Sequence, residues 1–326
     1  MKKKILILGV TGQDGSFLAE YLVSKKYKVY GLIRKSSTRS YKNIENLLNN
    51  KNFNLVHGDV LDYISIENAL KKIKPDQVFN FADQDHVRWS SYIPFYSFDV
   101  TAKSVFNLLY LLKNHTPKSK YFHAFSSNMF GKNINGKINE KSTFSPQSVY
   151  ALSKVNAFYI CEYFKKIHNL KIYGAIFFNH ESERRSEEYV TRKITKSAVR
   201  IFLKKQKNFS LGDITAKIDW GYAKDYVKAA FKIMQLSKPD FFVIGSGKAN
   251  SVEYFAKKSF SYFGLNYKKY LKIDKKLIRK VKTKTLIANN SKAKRVFKFN
   301  PKTNLDQLIK IMIENDLRIE TESNNV

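Results

Sequence analysis

Tyr150-Ala151-Leu152-Ser153-Lys154 sets a phenol and an ammonium four residues apart, on one face of a predicted helix. A positive charge beside a phenol favours the phenolate and brings tyrosine into the range of a general base. The same lysine can bond a ribose hydroxyl. Upstream, a predicted strand ends at Ser126-Ser127, where the Ser126 hydroxyl can bond an alcohol being oxidised. Oxidising an alcohol needs a hydride acceptor, and the chain start offers a place for one. Ile5-Leu6-Ile7-Leu8 reads as a buried parallel strand. Gly9, Gly12 and Gly15 follow at spacing G-x-x-G-x-x-G, and a helical pattern begins at Ser16. In that context Gly9 permits a tight turn and Gly12 lets a pyrophosphate approach the backbone. Gly15 lets helix and strand pack closely, with the helix N-terminus facing the anion.

Two further groups bear on the cofactor. Arg34-Lys35-Ser36-Ser37 follows the second predicted strand, where an acid would accept the ribose hydroxyls of NAD. A basic pair with hydroxyls suits the 2′-phosphate of NADP, so NADP is expected rather than NAD. Asp59 follows the third strand, where it either accepts the adenine amino group or caps a helix. The six histidines, at 57, 86, 115, 123, 168 and 180, show no metal-ligand spacing, so no metal is expected. His86 reads as a loop-ordering residue and Trp220 as packing.

The elements that must hold these groups alternate along the chain. Strands are predicted at 28–33, 53–57, 77–81, 120–126 and 170–177, with helices at 104–113 and 146–168. Short connections between them imply right-handed crossovers and an α/β fold, a doubly wound parallel sheet of the Rossmann type. After about Phe178 the rhythm changes, with helical patterns at 191–205, 222–235, 252–263 and 305–314. The division expected is a dinucleotide-binding domain over 1–178, to which 217–245 returns. A smaller, mixed α/β nucleotide-sugar-binding domain covers most of 179–326, and the polar tail from Glu320 is expected to fray.

Composition narrows the class. The chain has 326 residues, 43% of them hydrophobic, enough for a substantial core. Cys161 is the sole cysteine, which excludes an intrachain disulfide and points to a reducing cytoplasm. Met1-Lys2-Lys3-Lys4 resembles a signal n-region, but the apolar run after it breaks at Gly9. No run approaches the roughly 18 apolar residues of a membrane span. The net charge is +32. Its lysines are scattered through every segment, which reads as compositional bias on solvated faces. Attraction to anionic substrates and nucleic-acid binding are the other readings, and the second lacks a recognition module.

Longer motifs carry a resemblance. Gly9 to Ser16, Arg34 to Ser37, Gln84-Asp85-His86-Val87, Ser148 to Lys154, Asn179 to Arg185, Val190-Thr191-Arg192-Lys193-Ile194 and Asp219 to Val227 run in order over nearly the whole chain. They resemble the extended short-chain dehydrogenases of the nucleotide-sugar (epimerase/dehydratase) class, most closely the GDP-mannose 4,6-dehydratase family. The resemblance implies C4 oxidation of a GDP-hexose, elimination of water across C5 and C6, and hydride return to C6. It implies cofactor contacts from Thr11, Gln13, Asp14, Val60, Phe81, Ala82, Gln84, Tyr96, His180 and Arg185. It implies substrate contacts from Ser127, Asn179, Val190, Arg192, Lys193, Lys217 and Arg279, and a homodimer or homotetramer. Three positions depart from the family. Asn128 stands where the family has the glutamate that removes the C5 proton, and an amide cannot take a proton at neutral pH. Ile218 replaces an arginine before Asp219-Trp220-Gly221. Asp85 replaces a small hydroxyl residue and either supplies the missing carboxylate, reshapes the pocket or lies solvated. The alternatives to a dehydratase are a GDP-sugar 4-oxidoreductase or epimerase without elimination, and a non-catalytic nucleotide-sugar-binding protein.

Overall fold

The computed structural model describes residues 2–37, 41–131, 136–278 and 285–322. The first half alternates β1 (Lys4–Leu8), α1 (Gln13–Ser24), β2 (Lys28–Ile33), β3 (Phe53–His57), α2 (Tyr63–Ile73) and β4 (Gln77–Asn80). Two short helices follow, α3 (Trp89–Tyr92) and α4 (Pro94–Phe98), then a π-helical turn at Asp99–Lys103 that runs into α5 (Ser104–His115). After β5 (Lys120–Ser126) and β6 (Lys137–Ile138) come the long helix α6 (Val149–Ile167), β7 (Lys171–Phe177) and β8 (Asn179–Glu181). The second half contains α7 (Val190–Phe202), β9 (Phe209–Leu211), β10 (Lys217–Tyr222), α8 (Ala223–Gln235), β11 (Phe241–Ile244) and β12 (Ala249–Ser251). It ends with α9 (Val252–Ser261), β13 (Leu271–Ile273), β14 (Ile287–Ala288), α10 (Ser291–Phe297) and α11 (Leu305–Glu322).

Seven parallel strands form the main sheet in the order β11-β7-β5-β4-β1-β2-β3. Both faces are covered, which explains the unbroken apolar run of β1. Ile5 and Ile7 join one core with Phe17 and Leu18 of α1 and Tyr226 and Ile233 of α8. Leu6 and Leu8 point the other way, into a core with Leu70, Leu109 and Phe164. The chain builds outward from β1 in one direction and from β4 in the other. The carboxyl ends of β1 and β4 therefore border the crevice where such sheets bind ligands. A third core, holding Ile194, Trp220, Phe255 and Met312, packs α7, α9 and α11 against β10. β11 pairs with β7, and α8 packs on the face of α1, so part of the later chain completes the first sheet.

Among the boundaries that differ from the sequence expectation, two have a clear cause. α6 begins at Val149, because extended Ser148 caps it and accepts from Ala151 N at 3.1 Å. α11 continues to Glu322 and Glu320 is buried, not frayed. Its carboxylate meets Arg200 Nε at 2.8 Å and Lys196 Nζ at 3.5 Å, partners on α7 that local polarity does not reveal.

Candidate active site

The glycine turn between β1 and α1 is shaped by contact. Gly9 has φ +77°, and a Cβ there would meet the Phe81 backbone at 2.7 Å. A Cβ on Gly15 would stand 2.2 Å from Gly9 O. Gly12 caps α1, whose first turn carries Asp14. Gln13, Asp14 and His180 tie this helix to β8. His180 Nε2 lies 2.8 Å from Asp14 Oδ2, Gln13 Nε2 donates to His180 O at 3.1 Å, and Ser182 Oγ donates to Gln13 Oε1 at 2.7 Å. Burial pushes Asp14 up, but the His180 charge and hydrogen bond hold it below its ordinary value. Burial lowers His180, and Asp14 outweighs that and raises it.

Around the crevice, Arg34 Nη1 donates to the Tyr96 hydroxyl at 2.8 Å, joining the loop after β2 to α4. Lys35 is exposed beside it. Asn43 Nδ2 donates to Thr11 O at 2.9 Å. Asp59 accepts from Leu61 N, whereas the cap of α2 is Asp62, which accepts from Ile64 N at 3.1 Å. Val60, Tyr63, Asn80 and Leu108 line a small groove next to Leu8. Phe81 N bonds Leu8 O, Ala82 N bonds the Asn80 side chain, and Gln84 accepts from Ser97 of α4. His86 orders its loop by accepting from Trp89 N at 3.2 Å. Trp220 is buried in the third core.

Ser126, Tyr150 and Lys154 converge where β5 and α6 meet. Ser126 ends β5, and Tyr150 and Lys154 face inward from one side of α6, both buried. Ser126 Oγ accepts from Asn128 N at 3.2 Å and from Asn128 Nδ2 at 3.1 Å. Ser127 is buried at the next position. Lys154 Nζ sits over the Tyr150 ring at 5.9 Å and donates to Ala124 O. It also forms an ion pair with Asp83, a residue the sequence reading did not select. Burial and then Asp83 push the Tyr150 phenol well above its ordinary value, against the Ser126 hydrogen bond and Arg185. Asp83 faces the same ammonium and so works against the lowering expected from Lys154.

Asp85 is exposed and paired with Arg185 Nη1 at 3.3 Å. Arg185 also meets Glu181 at 3.4 Å and stacks over Tyr189, 3.4 Å from the ring centre. Arg192 has partners within the chain. It is buried, bonds Glu183 O and pairs with Asp316 of α11 at 2.7 Å. Val190 and Lys193 are half-buried in the first turn of α7, while Asn179 and Lys217 are exposed at the starts of β8 and β10. Ile218 pairs with Asn250 of β12. Arg279 lies outside the described residues. Among the described residues no group of three acidic, His or Cys side chains is placed to hold a metal ion, and no helix is long and apolar enough to cross a membrane.

A doubly wound parallel sheet with a serine, tyrosine and lysine set beside its crevice defines a short-chain dehydrogenase of the extended kind. Solved structures share the fold. A dTDP-glucose 4,6-dehydratase from Bacillus anthracis superposes with TM-score 0.86 at 19% identity, covering 98% of each chain. A UDP-glucose 4-epimerase from Thermotoga maritima gives TM-score 0.86 at 22% identity, covering 98% of this chain and 99% of its own. The sequence profile described as GDP-mannose 4,6 dehydratase matches residues 6–312. GDP-mannose 4,6 dehydratase 2 of Arabidopsis thaliana is 39% identical over 98% of this chain and 88% of its own length. The human GDP-mannose 4,6 dehydratase is 34% identical over 96% of this chain and 91% of its own. The chain belongs to the GDP-mannose 4,6-dehydratase family.

Proposed function

We propose that this protein is an NADP-dependent enzyme that oxidises C4 of a GDP-linked hexose and eliminates water across C5 and C6. The observation that carries the reading is the convergence of Ser126, Tyr150 and Lys154 in a chain of this family. The glycine turn leaves room for no side chain at Gly9 or Gly15 and presents the α1 N-terminus, which fits a pyrophosphate. Arg34, Lys35 and Ser36, with no acid beside them, support NADP, which when bound takes up the C4 hydride and later gives it back.

The chain's own residues then divide the proton work. Ser126 orients the C4 hydroxyl, and Tyr150 takes its proton as the C4 hydrogen leaves. Lys154 holds the site's positive charge beneath the phenol. Elimination removes a proton from C5 and lets the C6 hydroxyl leave as water. Asn128 donates hydrogen bonds and accepts no proton, so elimination here requires a proton acceptor other than residue 128. The second reading, C4 oxidation without elimination, is favoured by that one substitution.

A division at about residue 178, with 217–245 returning to the first sheet, fits the separation of the third core from the other two. A homodimer is supported by exposed apolar residues on neighbouring helices, Phe106 and Tyr110 of α5 with Tyr159, Tyr163 and Ile167 of α6. The buried thiol of Cys161 suits the cytoplasm.

Incubation with a panel of GDP-hexoses, followed by mass spectrometry, tests the reading. Loss of water from one of them is the expected result. Loss of two hydrogens selects the oxidoreductase, and no change with any sugar defeats both.

A further inference from the structure

Asp83 follows β4 and faces the catalytic helix from across the crevice. Its side chain is 11% exposed, and one oxygen, Oδ2, pairs with Lys154 Nζ. The other, Oδ1, is buried and has no hydrogen-bond partner among the described residues. Thr101, on the π-helical turn, lies beside it, its buried hydroxyl near enough to draw the Asp83 carboxyl down yet outside full hydrogen-bond geometry. A carboxylate is seldom enclosed with half its acceptors unfilled, and π-turns recur at functional sites. Nothing in the hydride reading uses Asp83.

We propose that Asp83 is a positioning residue that clamps Lys154 and sets the charge reaching Tyr150. The proposal rests on the reading of Tyr150 and Lys154 as the acid–base pair. An ammonium bound to a carboxylate presents little net charge to a neighbour, and the carboxylate itself repels a phenolate. Both effects act in one direction. Every charged element around the phenol enters the balance. Asp83 and Asp85 approach from the segment after β4, Ser126 from β5 and Arg185 from the loop after β8. Behind Lys154 stand His123 of β5 and Cys161 of α6. Both are buried, and burial keeps them neutral by lowering the imidazole and raising the thiol. Among the described residues Asp83 is thus the one carboxylate that forms an ion pair with Lys154. Burial raises its own carboxyl above the ordinary value against the pull of Lys154.

The test reads Tyr150 directly and needs no substrate. Tyrosines carrying 13C at Cζ are incorporated into the full chain, and Tyr150→Phe identifies the Tyr150 resonance. Asp83→Asn should lower its titration midpoint by about one to three units, the usual effect of a charge at this range. Lys154→Met should raise the midpoint or keep the phenol protonated throughout. Asp83→Ala repeats the test should the amide fail to fold. The pH profile of kcat for C4 oxidation should shift in the same sense. A midpoint unmoved in the Asp83 variants overturns the proposal. Normal turnover by Tyr150→Phe would instead defeat the acid–base assignment on which it rests.

Discussion

The side-chain amide of Asn128 donates to the Ser126 hydroxyl at 3.1 Å. The direction of that bond matters. A hydroxyl that accepts from Asn128 still has its own proton to give, so Ser126 remains able to donate to a substrate oxygen. A carboxylate at position 128 would instead compete for that proton. Asn128 therefore preserves the C4 end of the site while removing the acid–base group from the C5 and C6 end.

The first prediction concerns Tyr150. Tyr150→Phe keeps the ring among its buried neighbours and removes the hydroxyl. C4 oxidation should fall by roughly 10²–10⁴, the usual worth of a positioned acid–base group. Cofactor affinity, measured by fluorescence quenching, should hold. Lys154→Met should reduce both, because it also leaves Asp83 buried without its cation.

Arg34 gives the second. Its guanidinium is oriented by Tyr96 at 2.8 Å. A charge-assisted bond to a 2′-phosphate contributes about 1.5–3 kcal/mol. Arg34→Leu should then weaken NADP binding by roughly 10- to 100-fold and NAD binding far less. Tyr96→Phe should have a smaller effect of the same kind. Calorimetry with both nucleotides decides it, and equal losses for the two would count Arg34 out as the phosphate ligand.

Much of this was legible locally. The glycine turn, the Tyr150–Lys154 face and the strand rhythm each lie within a few residues, so spacing alone carries them. Asp83 was not, because its partner Lys154 is 71 positions away and nothing near Asp83 marks it as buried. Glu320 was misread for the same reason. Its partner Arg200 is 120 positions distant, and a charged helix end looks solvated until the facing helix is known. Arg192 was read through the resemblance as a substrate contact, and its bond to Asp316 is equally invisible in local sequence.

Association supplies the third prediction. Tyr159, Tyr163 and Ile167 form one exposed stripe on α6, spaced four residues apart. Tyr159→Glu with Ile167→Glu should convert a dimer to a monomer in light scattering. Unchanged mass would move the interface elsewhere.

The fourth concerns pH. Asp316 is fully buried between Arg192 and Thr195, and burial raises its carboxyl to about 6 against their pull. A carboxyl raised in the folded state binds its proton more tightly there than in the unfolded chain. Its contribution is therefore full below about pH 4 and is lost as pH rises through 6. From the ordinary value of 3.8 to about 6, the loss is on the order of 3 kcal/mol. Asp316→Asn removes this slope. Urea unfolding at pH 4.5 and 7 should show wild type losing stability relative to the variant as pH rises. A constant difference would mean that Asp316 titrates normally.

The last prediction asks which group takes the C5 proton. The ketone at C4 acidifies that proton, but an acceptor must still stand near it. Asp85 is the exposed carboxylate near the site, and its pairing with Arg185 at 3.3 Å is loose enough to yield to a substrate. Asp83 is held by Lys154 and enclosed, so it is poorly placed to receive a proton from a sugar carbon. If Asp85 is the acceptor, wild type dehydrates its GDP-hexose and exchanges the C5 hydrogen with solvent deuterium. Asp85→Asn should then abolish both while C4 oxidation survives. If no carboxylate serves, wild type stops at the 4-keto sugar with reduced cofactor and exchanges slowly, and Asn128→Glu should switch on exchange and water loss. Deuterium incorporation read by mass spectrometry separates the two. Dehydration that persists in Asp85→Asn would exclude both, and the proton acceptor would then have to be sought elsewhere in the crevice.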